Sequence, residues 1–534
     1  MNSGCSARYR YSPGPFTLEA AEAVAGAGAG LAVLRLVDCS LVSLPRAGSD
    51  GRPRYVMLET LRAYGAGLLA PAGEHAAAAA ALAGYAVRVA EEAAAGSQTS
   101  TGEVAAARQL DAEDPTMRQV LAWAMDSDPV VAARLADALG WWWWQRGRLT
   151  GQYRLLGELA GRIEPGSDRW CAVQCLLGQA AHLSADLPGA LGHYTAVRDA
   201  AGDRGSSRVL ADALDGRSFV LLTMGRLAEG TEDGRRSLAM ARDLGYLVGE
   251  AMALQALGIA AFLSGDNDAA IQLVHQQQRL TGIPGWIVRG HSHLLVMALI
   301  DAGDLASAAS ACAAVLAGCR DSGELLSLPP LLMLMADLDV QAGRIQDAAA
   351  HLREGLQAAI RAGDWFDVAA NGLWYCAVLC AAAGRHAEAV TLPAALDVHT
   401  RPEGGSGPGS PGDARRREEA QDKARQALGP DQARAAEQRG AAMSLDTAAE
   451  YALMLTTPAP PEPAAAPGPG LGRLSPRERE LVTLIAQGRT NAQIAAQLHV
   501  SVRTVSSHLD QIRDKTGCRR RADLTRLALT AGLI

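Results

Sequence analysis

The feature that most constrains this chain is a short turn that recurs about every forty residues through its middle. It stands at Gly147-Arg148-Leu149, Ala185-Asp186-Leu187, Gly225-Arg226-Leu227, Gly265-Asp266-Asn267, Gly303-Asp304-Leu305, Gly343-Arg344-Ile345 and Gly384-Arg385-His386. By subtraction the successive spacings are 38, 40, 40, 38, 40 and 41 residues. Apolar runs precede the turns, such as Ala251–Leu263 and Leu331–Val340. Alanine-rich runs at helical spacing follow them, such as Ala306–Leu316 and Ala348–Ile360. A fixed period of this kind predicts stacked helical hairpins, in which each unit buries its apolar face only against its neighbours. Glycine ends the first helix because it adopts the left-handed C-cap at little cost. The small residues after it let the second helix pack closely.

With 534 residues the chain is too long for one core. Alanine is abundant and aromatic residues are few, at 4%, and alanine has the strongest helix propensity. The expected class is all-α, with the hairpins as a solenoid over residues 76–399. This array resembles tetratricopeptide repeats, with units longer than usual. The resemblance implies a protein or peptide partner on a concave face.

Two linkers are expected. Thr400–Gly412 is rich in Gly, Ser and Pro and predicts a flexible loop, 400–412. A charged helical segment, 413–457, follows it. Pro458–Gly470 then predicts an extended Pro/Ala tether to a separate domain, 471–534. The formal charge of the whole chain is -7. Residues 471–534 hold 11 Arg plus Lys against 5 Asp plus Glu, or +6, which leaves -13 for the rest. A basic module on an acidic body fits a local nucleic-acid contact and excludes a chain that coats nucleic acid along its length.

The nine cysteines are scattered without zinc spacing, so they read as small buried residues in a reducing compartment. No apolar run is long enough to span a bilayer. The expectation is a cytoplasmic, nucleoid-associated protein with no membrane contact.

The last domain reads as four helices. Ser475 caps the first, with Pro476 at its first position and Glu478 closing a capping box; Gly488 ends it. Thr490 opens the second, with Gln493 in the box position. His499-Val500 makes a turn. Ser501 starts the third, which ends at Gly517, and a fourth runs from about Ala522 to Ala531. Leu481, Leu484, Ile485, Ile494, Leu498, Val505, Leu509 and Ile512 form the inward stripes. Two short capped helices joined by a tight turn lay the second of the pair in a DNA major groove. At 100° per residue, Arg503, Ser507, Asp510, Gln511 and Asp514 point away from the core. Arg503 suits guanine, Gln511 adenine, and Asp510 a cytosine amino group. Thr490, Ser501 and Thr504 at helix starts offer donors to phosphates. His508 lies at the edge of the buried face.

This stretch resembles a LuxR-type helix-turn-helix domain from end to end. The pattern is met at Leu474-Ser475-Pro476-Arg477-Glu478, Gly488, Asn491, Ile494, Ala495, Leu498, Thr504-Val505, His508, Ile512, Lys515 and Ala531-Gly532-Leu533-Ile534. The resemblance implies DNA-binding residues at Thr490, Asn491, Ser501, Arg503, Thr504, Ser506, Ser507, His508, Asp510, Gln511 and Lys515. It also implies a dimer on double-stranded DNA, with Leu524, Leu527 and Ala528 as contacts; these three fit an ordinary core equally well. Ser506 and Asp510 depart from the family, where basic residues are common. Each lost phosphate contact should flatten the salt dependence of binding by about 0.9.

Residues 1–75 resemble the winged-helix end of a STAND-type ATPase module in AfsR-like regulators, through Leu36-Val37-Asp38, Ser40-Leu41-Val42 and Tyr55-x-Met57-Leu58-Glu59-Thr60-Leu61-Arg62-x-Tyr64. The run Trp141–Trp144 reads as helix packing. A phosphate-binding loop needs a lysine after a glycine-rich turn. The only lysines, Lys423 and Lys515, do not follow one. The expectation is the C-terminal part of a larger regulator, without the nucleotide site, cofactor or metal.

The sequence thus reads as a DNA-binding transcriptional activator, not an enzyme, controlled through its repeats, with RNA polymerase as a possible further partner. Two alternatives stay open. One is a repeat-based interaction scaffold with weak DNA binding. The other is the remnant of a nucleotide-dependent switch that needs a separate ATPase chain.

Overall fold

The computed structural model describes residues 14–63, 75–99, 101–202, 205–325, 327–365, 371–400, 410–456, 474–498, 500–518, 520–530 and 533. The side chains at 397–400, 413, 503, 522, 529 and 530 lie outside that description, as do His499 and the Pro458–Gly470 tether.

The described residues are all-α with one small β-hairpin. Helices α1 (Leu18–Ala25) and α2 (Ala29–Asp38) precede strands β1 (Arg46–Ala47) and β2 (Pro53–Arg54), which pair antiparallel with Arg46 opposite Arg54. Three longer helices follow: α3 (His75–Ser97), α4 (Glu103–Ser127) and α5 (Pro129–Gln145). The hairpin is anchored to them by a buried ion pair. Arg54 donates to Asp50 at 2.7 Å and to Glu113 at 2.9 Å, and the Tyr85 hydroxyl donates to the same Glu113 at 3.0 Å.

Every expected turn joins two helices. Gly147 lies between α5 and α6 (Tyr153–Ala160), and Ala185 between α7 (Asp168–Leu183) and α8 (Leu187–Ala201). Gly225 separates α9 (Arg208–Thr223) from α10 (Leu227–Asp243), and Gly265 separates α11 (Leu247–Leu263) from α12 (Asn267–Gln278). Gly303 lies between α13 (Gly285–Asp301) and α14 (Leu305–Ser322), and Gly343 between α15 (Leu328–Gln341) and α16 (Ile345–Ala362). Gly384 joins α17 (Leu373–Ala382) to α18 (His386–Thr400).

The turn chemistry is twofold. The first residue of each turn takes a positive φ, from 61° at Gly147 to 83° at Gly265, and Ala185 does so at 63° without being glycine. Where the second residue is Asp, its carboxylate caps the next helix. Asp186 accepts from the Gly189 amide at 2.9 Å, Asp266 from Ala269 at 3.0 Å and Asp304 from Ser307 at 3.1 Å. The turn therefore stops one helix and starts the next within two residues.

Close packing across hairpins needs small residues. The ring of Tyr194 on α8 lies against both Gly178 on α7 and Gly216 on α9. A Cβ on Gly178 would sit 2.8 Å from it, and one on Gly216 would sit 2.4 Å away. Only glycine leaves room for that ring at both places. The tryptophan run packs as expected: Trp142 and Trp143 are buried, and the Trp142 indole donates to Asp111 at 3.0 Å.

The array winds back on itself. Trp144 of α5 meets Trp286 of α13 with ring centroids 5.5 Å apart. The Leu325 amide donates to the Gln145 carbonyl at 3.1 Å, and Arg146 donates to the Gly323 carbonyl at 2.7 Å. Beside them Arg289 bridges two buried acids, Glu103 of α4 and Glu324, the latter at 2.8 Å. The first hairpin thus closes against the fifth, so that α5, α7, α9, α11 and α13, each packed on the next, form a closed circuit.

Helices α19 (Pro411–Leu428), α20 (Pro430–Ala441) and α21 (Leu445–Leu455) pack on the last hairpin and share its core. Their extent differs from the expected loop at one end. Ser410 is buried, with its hydroxyl on Asp301 at 2.5 Å, and α19 starts at Pro411. Proline fits a first helical turn, so Pro411 and Gly412 join the helix instead of the loop; residues 401–409 lie outside the described residues.

Candidate nucleic-acid interface

The last described helices are α22 (Pro476–Ala486), α23 (Asn491–Gln497), α24 (Val502–Thr516) and α25 (Arg521–Thr530). Each of the first three starts at a capped position, as the sequence predicts. Ser475 and Glu478 form a reciprocal capping box, and Thr490 and Gln493 form another. The Ser501 hydroxyl accepts from the Thr504 amide at 3.1 Å. Gly488 and Gly517 take φ of 77° and 73°, ending α22 and α24.

One apolar core holds the four together. Leu481, Leu484 and Ile485 from α22, Ile494 and Ala495 from α23, Val505, Leu509 and Ile512 from α24, and Leu524 and Ala528 from α25 are all buried in it. Leu527 is half-buried. Leu524 and Ala528 thus fill the domain's own interior, and of the three residues assigned to a dimer contact only Leu527 reaches the surface.

The opposite face of α24 is open to solvent. Thr504, Ser507, Asp510, Gln511 and Asp514 are exposed. The face carries an internal ion pair, Arg513 donating to Asp510 at 2.8 Å. Ser506 is half-buried and turns its hydroxyl back to the Val502 carbonyl at 3.1 Å. His508 is half-buried, and its Nδ1 is out of water with no hydrogen-bond partner. The backbone places Arg503 in the first turn of α24; its side chain lies outside the described residues.

Lys515, which the resemblance gives to DNA, is tied down, and so is Arg521. Lys515 donates to both carboxylate oxygens of Glu478, at 2.6 and 2.8 Å. Glu478 also accepts from the Ser475 amide at 2.7 Å. The Lys515 hydrogen bond and then that amide hold the Glu478 carboxyl below its ordinary range. Arg521 donates to the Asn491 side-chain oxygen at 2.8 Å and to the Arg489 carbonyl. Asn491 is therefore held by the start of α25. A third tie was not foreseen: Arg477 donates to the Leu498 carbonyl at 3.0 Å, joining α22 to the end of α23. The signal for the Lys515 contact was present. Glu478 sits next to the apolar stripe, and a buried carboxylate requires a cation.

Among the described residues no helix is long and apolar enough to cross a membrane, and no group of His, Cys, Asp and Glu is placed to hold a metal ion.

Residues 473–528 match the family model described as bacterial regulatory proteins, luxR family, and form a helix-turn-helix domain of that family. The response regulator Rre1 of Synechocystis is 44% identical over 59 residues, covering 11% of this chain and 26% of that protein. The HTH-type transcriptional regulator Mb0914c of Mycobacterium bovis is 36% identical over 108 residues, 20% of this chain and 12% of that one. The chain thus spans about a quarter or less of the length of these relatives. A STAND protein with a tetratricopeptide repeat sensor, from Pyrococcus horikoshii, aligns over 71% of this chain and 60% of its own, at 10% identity and a TM-score of 0.39.

Proposed function

We propose that this chain is a DNA-binding transcriptional regulator that lays α24 in the major groove of duplex DNA. The observation that carries this reading is the two-sidedness of α24. Val505, Leu509 and Ile512 are buried on one side, while Ser507, Asp510, Gln511 and Asp514 are exposed on the other. A helix held rigidly by its back and capped at both ends can present such a row to base edges. Arg503 and Gln511 would read bases, and Thr490, Asn491, Ser501 and Thr504 would meet the phosphate backbone. Lys515 would act by fixing α24 to the α22 start.

The helical hairpins would carry the regulatory input by binding a partner, and the domain would pair on DNA. Activation through contact with RNA polymerase belongs to the same reading, as does a cytoplasmic site of action. The winged-helix-like N-terminus and the tether at 458–470 complete the proposed organisation.

The test is genome-wide DNA occupancy of the intact chain against a chain cut at about Pro460. The intact chain should enrich a defined set of sites, and the cut chain should lose them. Equal occupancy by both, or no enrichment by either, would reject the reading. Unimpaired function in a cell with the cut chain would favour a scaffold whose repeats do the work.

A further inference from the structure

The closed array has an inner face, and one part of it is acidic without a matching set of cations. The face is marked by the contact between Trp144 of α5 and Trp286 of α13, where the circuit closes. Asp137, Trp141 and Trp144 lie at i, i+4 and i+7 on α5, on the same helical face. On α9, Arg208, Asp212, Asp215 and Phe219 form the corresponding stripe. Phe219 meets His182 of α7 edge-on, with centroids 5.0 Å apart, which joins the two neighbouring helices on this side. Arg208 lies over the ring of Tyr246, 5.2 Å from its centroid, and Tyr246 hydrogen-bonds to Asp212.

Asp137, Asp212 and Asp215 interact electrostatically along this face, and Arg208 is the cation that opposes them there. Arg134 is engaged with Glu91, and Arg217 with Asp233. His182 is held neutral by burial, its pKa pushed down to about 4. Two polar atoms are left without partners. Asp215 is 8% exposed, and its Oδ1 is out of water with no hydrogen bond. The Trp141 Nε1 is likewise buried and unbonded. A buried carboxylate oxygen with no donor costs on the order of 1–3 kcal/mol. It is retained here on the same stripe of α9 as Asp212, while Trp141, on the stripe of α5 that carries Asp137, offers an indole that can stack on a cation.

We propose that this inner face binds an amine- or guanidinium-bearing organic cation, with Asp215 and Asp212 as its counter-ions, Asp137 at the rim and Trp141 against its side. The cation is either a free polyamine or a basic side chain presented by a peptide. This inference deepens the reading that the hairpins carry the regulatory input. Burial, with the charge of Asp137 added, raises Asp212 to about 7, and burial with the charge of Asp212 raises Asp215 to about 8. Without a ligand both acids hold part of their protons near neutrality. An entering cation ionises them, so binding releases protons and strengthens as pH rises toward 8. The other titratable groups facing them are Cys175 and Tyr194, both raised by burial and protonated throughout that range.

The test is titration calorimetry on the full chain, without DNA, using spermidine and an amidated tetra-arginine peptide in buffers of different ionisation enthalpy. At least one probe should bind with proton release, and the tighter of the two identifies the source of the cation. The double variant Asp212→Asn with Asp215→Asn should weaken it at least tenfold, and Asp137→Asn should weaken it by less. Glu232→Gln on the outer helix α10 should leave it unchanged. Asparagine matches the size of a protonated carboxyl, so the double variant should keep its melting temperature, and a loss of binding is then not a loss of fold. Failure of both probes to bind, or equal binding by the double variant, overturns the site. Binding that leaves DNA affinity unchanged keeps the site and rejects control through the hairpins.

Discussion

The Lys515 ammonium grips both carboxylate oxygens of Glu478, at 2.6 and 2.8 Å, and so ties the last turn of α24 to the first turn of α22. Glu478 is 4% exposed while Lys515 is 42% exposed. Replacing Lys515 by Met should leave a buried carboxylate without its cation and destabilise the domain by about 1–3 kcal/mol. Chemical denaturation of the domain checks this. A variant with unchanged stability but a flatter salt dependence of DNA binding would return Lys515 to the phosphate contacts.

The same pair fixes a pH dependence. The folded-state pKa of Glu478 lies below its ordinary 4.5. Its contribution is therefore fully present above about pH 5 and is lost as pH falls through the lower folded value. Wild type should lose stability below pH 4.5 more steeply than Lys515→Met, as read from melting temperatures between pH 3 and 6.

Ala185 holds the left-handed turn position that glycine holds at the six sister turns. Its φ of 63° costs an L-residue roughly 1 kcal/mol. Ala185→Gly should stabilise the array by about 0.5–1 kcal/mol, and Gly225→Ala should destabilise it by at least that much. Denaturant midpoints of the two variants check both signs.

Arg289 stands between Glu103 and Glu324, both nearly excluded from water. Arg289→Met should leave two buried acids facing each other and cost about 3–5 kcal/mol. Hydrogen exchange should rise first at the ends of α4 and α13, where the ring closes. Uniform exchange across all hairpins would show that the closure does not hold the array.

The hairpins were legible because their stop and start signals are local: each turn has a residue at positive φ, followed at three of the seven by an Asp that caps the next helix. The α22–α24 unit was legible for the same reason, through its caps and its apolar stripes. The closure of the ring was not. Glu103 and Arg289 are 186 residues apart in sequence, and no periodicity relates them. The role of Lys515 was missed because position along α24 gives the face of a side chain, while its partner sits on a helix 37 residues earlier. The start of α19 inside a Gly/Pro-rich stretch was hidden because composition does not show that Ser410 and Arg416 both bind Asp301.

The most direct test of the account is selection of binding sites from random duplex DNA by the intact protein and by the double variant Arg503→Ala with Gln511→Ala. The wild type should enrich a common short sequence, and the variant should bind it about 2–6 kcal/mol more weakly, from about 1–3 for each base contact. Failure of the wild type to enrich any sequence, or the same sequence enriched equally by the variant, would contradict the assignment of α24 as the reading helix.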